Sequence, residues 1–150
     1  MGKRRHAREL AVQVLFHMEF NSGNLEESFE LVRGNFNPPN HSLPFSKILL
    51  KGILEKKETL DHLITTSSKN WRLERMSHVD RNILRLAVFE MLYMKEVPPK
   101  VSMDEAVELG KEYGTEESGA FINGVLDNIY NQLEKEGKIE TATAKNSNSG

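Results

Sequence analysis

The chain contains no cysteine and no long apolar run. Without cysteine it can form no disulfide, no thiol nucleophile and no cysteine-ligated zinc site. No apolar run approaches the roughly 20 residues that a membrane-spanning helix needs. The basic start of the chain is not followed by the apolar stretch of a signal peptide. We therefore expect a cytoplasmic protein that does not enter a membrane.

The residue patterns of catalytic sites are missing as well. The five histidines form no i,i+4 pair and no metal-binding motif, and the chain has neither a phosphate-binding glycine loop nor a nucleophile elbow. Its carboxylates are predicted to lie at helix caps and on solvent-facing sides of helices. The sequence thus predicts no enzymatic activity, no cofactor and no metal site.

The charge of the chain is low and uneven. The net charge is −2 and the pI is near 6.2, so the chain as a whole does not have the basic character of many nucleic-acid-binding proteins. Four cations nevertheless crowd the first eight residues: Lys3, Arg4, Arg5 and Arg8. Arginine is suited to phosphate contacts and to stacking on bases, whereas cations oppose the dipole at a helix start. Such a patch is typical of RNA binding, or of a terminus that only improves solubility.

Helical periodicity runs through most of the 150 residues, which is the length of one domain. No segment shows the alternation of a β-strand, so we predict an all-α fold. The segment after Ser77 is apolar on nearly all sides, which is typical of a central, buried helix. The predicted helices are 5–20, 24–35, 45–66, a short turn at 71–75, 77 to the prolines at 98–99, 102–113 and 115–136.

Caps and glycines define the predicted boundaries. Gly114 fits the position just after a helix end, and Thr115 is expected to cap the last helix. Residues 137–150 are small and polar, which predicts a disordered tail after a domain of residues 1–136. Capping-box spacing occurs at three places: Asn24 with Glu27, Ser77 with Asp80, and Ser102 with Glu105.

Phe121 is the aromatic residue most suggestive of a binding role. Unstacked RNA bases are held on aromatic rings, but most aromatic side chains serve as core. Phe121 follows Gly119 and Ala120 near the start of the last helix and is followed by Asn123 and Gly124. A glycine within a helix costs about 1 kcal/mol against alanine. The presence of Gly124 inside the helical pattern indicates either close helix packing or access of a ligand to the backbone.

Four segments in this order resemble the NusB family of bacterial transcription antitermination factors, over about residues 4–135. They are RRHARELAVQVLF, VDRNILRLAVFEMLY, VPPKVSMDEAVELGKEYG and SGAFINGVLDNI. The resemblance implies about seven helices in two small packed bundles. It also implies binding of boxA RNA from ribosomal operons together with the ribosomal protein NusE, and thereby an indirect link to the RNA polymerase elongation complex.

The same resemblance implies roles for single residues. Lys3, Arg4, Arg5, Arg8, Phe16 and Phe121 correspond to positions that face RNA in the family. Phe16 lacks the tyrosine hydroxyl that is often found there. Glu117 falls where an acid tunes RNA affinity, and Asp80 falls at a contact with the protein partner. Some members resemble homodimers that hide the RNA face, so both a monomer and a homodimer remain open.

Two other functions are compatible with the sequence. NusB-like domains also precede the catalytic domain of rRNA cytosine methyltransferases, where they help to bind RNA. The 14 residues after the last predicted helix leave no room for such a catalytic domain, and no glycine-rich cofactor loop is present. A helical bundle that binds only proteins is the third possibility, and it would retain no RNA even with its partner.

Overall fold

Seven α-helices and one 3-10 turn make up the regular structure of the computed structural model, which describes residues 2–36, 38–68, 73 and 76–139. The prediction of an all-α fold with about seven helices is confirmed. No helix in these ranges is long and apolar enough to cross a membrane. The helices are α1 (Gly2–Phe20), α2 (Leu25–Phe36), α3 (Leu43–Glu55), α4 (Lys57–Ser67), α5 (His78–Tyr93), α6 (Pro99–Tyr113) and α7 (Ser118–Lys135), with the 3-10 turn at Asn40–Ser42.

The helices form two bundles that share α5. Helices α1, α2 and α3 pack together, and α4, α6 and α7 pack around α5. Helix α5 also contacts α1 and α3, and every residue from 82 to 91 is buried. The central position predicted for this helix is therefore confirmed. Its all-round apolar pattern follows from neighbours on every side.

Helix α1 is fastened to α5 near both of its ends. Near its start, Arg8 pairs with Glu90. Near its other end, Glu19 accepts a hydrogen bond from the Asn82 amide at 2.6 Å and pairs with Arg81 at 3.1 Å. These contacts fix α1 lengthwise against the central helix.

Two predicted caps are present. The Asn24 side chain accepts a hydrogen bond from the Glu27 amide at 2.8 Å, and the Glu27 carboxylate accepts one from the Asn24 amide at 3.2 Å. At the start of α5, the Ser77 hydroxyl accepts a hydrogen bond from the Asp80 amide at 3.0 Å. Both caps use partners three residues apart, so the local sequence was sufficient to predict them.

Two other predicted boundaries are wrong. The helix expected over 45–66 is divided at Lys56, where the backbone leaves helical geometry (φ −105°, ψ 14°). Lys56 and Lys57 occupy the positions at which one straight helix would have continued its apolar side, and both are exposed. Helix α6 begins at Pro99, whose ring already fixes the first helical φ. Ser102 and Glu105 are therefore not a capping box but lie buried inside the helix.

Gly114 follows α6 as predicted but lacks the left-handed backbone of a C′ glycine, which occurs instead at Gly137, a residue for which the sequence predicted no such role. Gly114 is extended (φ −100°, ψ −154°), and an added Cβ would lie 2.6 Å from the Ser118 Cβ, so close approach requires the glycine. Thr115 donates its amide to the Ser118 hydroxyl just before α7, rather than capping the helix with its own side chain. Gly137 has the positive φ of 71° that ends α7 in a Schellman turn, with Lys138 bonded to the Leu133 carbonyl.

Part of the predicted boundary regions cannot be compared with the structure. The turn expected at 71–75 lies outside the described residues except for Leu73, which is in 3-10 geometry. Of the expected tail, residues 140–150 also lie outside the described ranges. Ile139, at the end of the described part, packs half-buried against the core.

Candidate RNA interface

The cations at the start of α1 differ in their surroundings. Arg4 is exposed, and its guanidinium lies 4.8 Å from the ring centre of Phe45 on α3. The Arg5 side chain is 46% exposed and forms two parallel hydrogen bonds with Glu105, Nε to Oε1 at 3.0 Å and Nη2 to Oε2 at 2.8 Å. The side chain of Lys3 lies outside the described residues. The surface therefore presents Arg4 over an aromatic ring and Arg5 in an ion pair.

Arg8 points into the protein instead of toward solvent. Its side chain is 4% exposed and donates two hydrogen bonds of 2.7 Å to Glu90, whose side chain is 1% exposed. The expectation that Arg8 offers its guanidinium to RNA disagrees with this burial. A buried arginine with two carboxylate bonds is a structural element of the junction between α1 and α5.

Helix α6 completes this buried junction. The Ser102 hydroxyl donates to Glu90 Oε1 at 2.9 Å, and Glu105 Oε1 lies 3.7 Å from Arg8 Nη1. The prediction that the carboxylates lie only at caps and on solvent-facing sides is wrong for Glu90 and Glu105. A signal was present for Glu90, because an acid within a helix that is apolar on nearly all sides requires a buried partner.

A shallow groove of about 200 Å³ separates the start of α1 from α6. Acids outnumber cations along it: Arg5 and Lys111 face Glu9, Glu105, Glu108 and Glu112. Arg5, through its hydrogen bonds and charge, lowers the pKa of Glu105 below its ordinary value. Because the folded pKa is lowered, the stability from this pair is present above the ordinary carboxyl pKa and is lost as the pH falls through the lowered value.

Glu9, which also lines this groove, and nearby Tyr113 have shifted pKa values as well. Burial, followed by the charge of Glu112, raises the pKa of Glu9. Burial, followed by the charges of nearby Glu9 and Glu112, raises the pKa of Tyr113 to about 12. The Tyr113 side chain at the end of α6 therefore lies near Glu9 on α1, at a point between Arg5 and Phe16.

Phe16 belongs to a small exposed aromatic group. It is 37% exposed, its ring centre lies 5.0 Å from that of Phe20, and Phe20 is 58% exposed. The Phe20 ring also lies 4.4 Å from the imidazole of His78. Phe16 was expected here from the family resemblance, whereas Phe20 was a candidate for stacking that the resemblance did not single out. The signal for Phe20 was that it fell partly off the apolar side of α1.

A cavity of about 530 Å³ opens beside these rings, between α1 and α2. It is lined by aromatic, aliphatic, amide and imidazole side chains: Gln13, Phe16, His17, Phe20, Asn21, Val32 and Asn35. A flat, uncharged group with hydrogen-bonding edges suits such a lining, because rings can stack on it and amides can pair with it.

The start of α7 carries the other predicted contacts. Phe121 is half-buried at the edge of the core, so part of its surface faces solvent. Glu117 is exposed and immediately precedes the helix, with its carbonyl accepting the Phe121 amide at 3.0 Å. Gly124 is exposed, and no atom would lie within 4 Å of an added Cβ. Close packing therefore does not explain this glycine, whereas open access to its backbone remains compatible with the structure.

Asp80 is the third residue of α5, and its backbone amide donates to the Ser77 hydroxyl that caps the helix. Its side chain is half-buried, and its Oδ1 atom is inaccessible and has no hydrogen-bond partner among the described residues. The helix cap is the Ser77 hydroxyl, so the carboxylate of Asp80 is not needed as the cap. The charge of the carboxylate still favours the dipole of α5 from its first turn, but Oδ1 has no hydrogen-bond partner among the described residues.

The predicted residues occupy one continuous region for the most part. Arg5 and Phe16 lie on the same side of α1, since 11 residues bring a helix back to nearly the same direction, about 16 Å along its axis. Lys111, which lines the groove at Arg5, packs on Gly119, two residues before Phe121. Arg8 is the predicted residue that the structure removes from this surface. No group of His, Asp or Glu in the described residues is placed to hold a metal ion.

Fold and surface together define a small all-helical protein with exposed rings and arginines along one side of its first helix. Comparison with known proteins makes the class specific. A family model described as "NusB family" matches residues 5–131. The chain belongs to the NusB family.

Relatives match over nearly their whole length. The chain is 48% identical over 140 residues to the transcription antitermination protein NusB of Desulfatibacillum aliphaticivorans, covering 93% of this chain and 98% of the relative. It is 43% identical to the protein of the same name from Myxococcus xanthus, covering 90% and 99%.

Solved structures share the fold. T. maritima NusB is 38% identical with a TM-score of 0.76, covering 86% of this chain and 91% of that one. A chain from a crystal structure of antitermination factors NusB and NusE in complex with dsRNA is 32% identical with a TM-score of 0.79, covering 88% and 98%.

Proposed function

We propose that this chain is a transcription antitermination factor that binds boxA-type single-stranded RNA of ribosomal operons together with NusE. The observation that carries the proposal is the match over 88% of the chain to a NusB structure with NusE and RNA. The relatives named as antitermination proteins match over 98% and 99% of their own length. This coverage favours an antitermination factor over the accessory domain of a methyltransferase.

RNA binding in this proposal uses the outer side of α1 and the start of α7. Arg4 and Arg5 contact phosphates, and Lys3 adds to them. Phe121 and Phe16 each offer a ring face to a base, and the cavity beside Phe16 accepts a base edge through Gln13 and Asn35 side chains. The open backbone at Gly124 permits close approach of the strand.

The acids in the same region limit the affinity for RNA. Glu117 stands one turn before Phe121, where its charge repels phosphate. The groove beside Arg5 is also rich in carboxylates. With a net charge of −2, the chain gains few phosphate contacts alone. A basic ribosomal protein docked beside it extends the cationic surface, so the pair binds RNA more tightly than either protein.

NusE is proposed to dock at the start of α5, with the Asp80 carboxylate as an anionic contact. Through NusE the chain is associated indirectly with the elongating RNA polymerase. In this role it acts in the cytoplasm and by binding rather than by catalysis.

The test is retention of a labelled boxA single strand by the purified chain, with and without NusE, beside a strand of the same composition in scrambled order. We expect tight, sequence-dependent binding with NusE and weak binding without it. A chain that binds NusE but leaves the retention of both strands unchanged would be a protein-interaction bundle, and the proposal would be wrong.

A further inference from the structure

Glu105 contacts two arginines of α1 that differ in exposure. One of them, Arg5, is 46% exposed and holds Glu105 through two parallel hydrogen bonds. The other, Arg8, lies 3.7 Å from Glu105 Oε1 and is itself fixed by Glu90. Glu105 therefore keeps a cation at short range even when Arg5 is turned away.

Arg5 is the cation of this site that is able to move. Its guanidinium is at the surface, so water replaces the bonds that it gives up when it leaves Glu105, and an exposed pair of this kind is weak. Arg8 has no such freedom, since leaving Glu90 would strand a carboxylate that is 1% exposed. The same carboxylate thus has one fixed partner and one exchangeable partner.

The bonds to Glu105 use the Nε–Nη2 edge of Arg5, one of the edges with which arginine binds a phosphate in two-bonded fashion. A phosphate at the remaining edge would meet Glu105 and the acids of the groove, Glu9, Glu108 and Glu112. The negative charges of the phosphate and of these acids would repel each other. The favourable position for a phosphate bound to Arg5 therefore lies away from the groove.

We propose that Glu105 sets the RNA affinity of this surface by holding Arg5 in an ion pair that an RNA phosphate must displace. Arg8, which remains 3.7 Å from Glu105 when Arg5 leaves, partly offsets the charge of Glu105. The inference rests on the proposed function, because it concerns the phosphate contact made by Arg5. Glu105 does not touch RNA; it acts through the position of Arg5.

The variant Glu105→Gln tests this inference, since glutamine keeps the shape and removes the charge that holds Arg5. Binding of the boxA strand in the presence of NusE is titrated over a range of salt concentrations. We expect affinity to rise about threefold to tenfold at low salt. The plot of log affinity against log salt should become steeper by up to about 0.7, the value for one added phosphate contact on a single strand.

Two controls separate the proposed effect from a general change of charge. Glu108→Gln removes an exposed acid from the same groove, one turn along α6, where the partner is Lys111. We expect it to change affinity much less than Glu105→Gln does. In an Arg5→Ala background, Glu105→Gln should have no effect on RNA binding. An equal gain from Glu108→Gln, or a gain that persists without Arg5, overturns the inference.

Loss of affinity in a folded Glu105→Gln protein also overturns it, because Glu105 would then orient Arg5 for RNA rather than withhold it. A measurement on the unaltered protein covers the case in which the variant does not fold. The Nε–H signals of Arg5 and Arg8 are followed by NMR as RNA is added to the complex with NusE. Arg5 should shift and Arg8 should not, whereas an unchanged Arg5 signal contradicts the inference. Failure of the proposed function is distinct, since wild-type protein would then bind no RNA.

Discussion

Arg5 and Arg8 lie one helical turn apart on α1, and both contact Glu105, yet their environments are opposite. Arg8 is enclosed by α5 and α6 and donates two 2.7 Å bonds to a buried carboxylate. Arg5 has the same bonding pattern at 2.8 and 3.0 Å, but nearly half of its side chain faces water. The same bidentate geometry thus fixes Arg8 inside the junction and leaves Arg5 exchangeable at the surface. The difference is solvation and not geometry, because desolvation makes a lost partner costly only where water cannot replace it.

The largest effect should come from the buried member of this comparison. Arg8→Ala leaves Glu90 charged and buried, so we expect the free energy of unfolding to fall by about 3–5 kcal/mol. Arg5→Ala should lower it by less than about 1 kcal/mol, because its pair is exposed. Urea denaturation of both variants measures the difference. Equal losses would show that solvation does not separate the two arginines.

Aromatic residues provide a second comparison between surface and core. Phe121→Ala should weaken RNA binding by about 1–3 kcal/mol, since one base loses its stacking partner. The melting temperature should fall only slightly, because Phe121 is at the edge of the core. Phe29, 3% exposed, is the matched control. Phe29→Ala should lower the melting temperature strongly and leave RNA binding by the folded protein intact, and the reverse pattern would place Phe121 in the core.

Asp80 tests whether a half-buried carboxylate at a helix start serves the fold or a partner. Asp80→Asn keeps the backbone bond to Ser77 and removes the charge. Because Asp80 is proposed as an anionic contact, the substitution should weaken NusE binding by up to about fivefold. The melting temperature should change little. Titration of labelled NusE into both proteins measures this. Equal dissociation constants would exclude Asp80 from the interface.

The smallest effect is expected at Glu117, which is exposed and makes no ion pair among the described residues. Glu117→Gln should raise RNA affinity about twofold at low salt, where screening is weak, and the gain should disappear at high salt. Glu116→Gln is a control for charge alone, since Glu116 is also exposed and lies one residue further from Phe121. A gain that is the same for both variants would mean that the position next to Phe121 has no special importance.

Local and distant interactions explain which parts of the structure could be predicted. Asn24 and Ser77 cap helices through partners three residues away, so their sequence neighbours were sufficient. Arg8 finds Glu90 82 residues further along the chain, and no local pattern distinguishes it from Arg5. Ser102 and Glu105 have capping-box spacing, but Pro99 begins the helix earlier and turns both side chains inward.

The candidate site followed the same rule. Phe121 and Glu117 were predicted near the start of the last helix, and the structure has both there, with Glu117 exposed and Phe121 half-buried. The cavity beside Phe16 was not foreseen, since it forms only when Val32 and Asn35 of α2 come next to α1. The site residues implied by the family resemblance were predicted from the sequence. The acids of α6 near Arg5 were not, because they approach Arg5 only when α6 lies beside α1.

In the proposed binding mode, the double attachment of α1 to α5 makes the first helix a ruler for a bound strand. Arg8 and Glu19 prevent the helix from sliding, so the step of about 16 Å between Arg5 and Phe16 is constant. A phosphate held by Arg5 and a base held by Phe16 must then be separated by a fixed number of nucleotides. One extra nucleotide between them would have to bulge outward, and one fewer would leave a contact unmade. In this way a rigid helix can select the spacing of an RNA element without reading each of its bases.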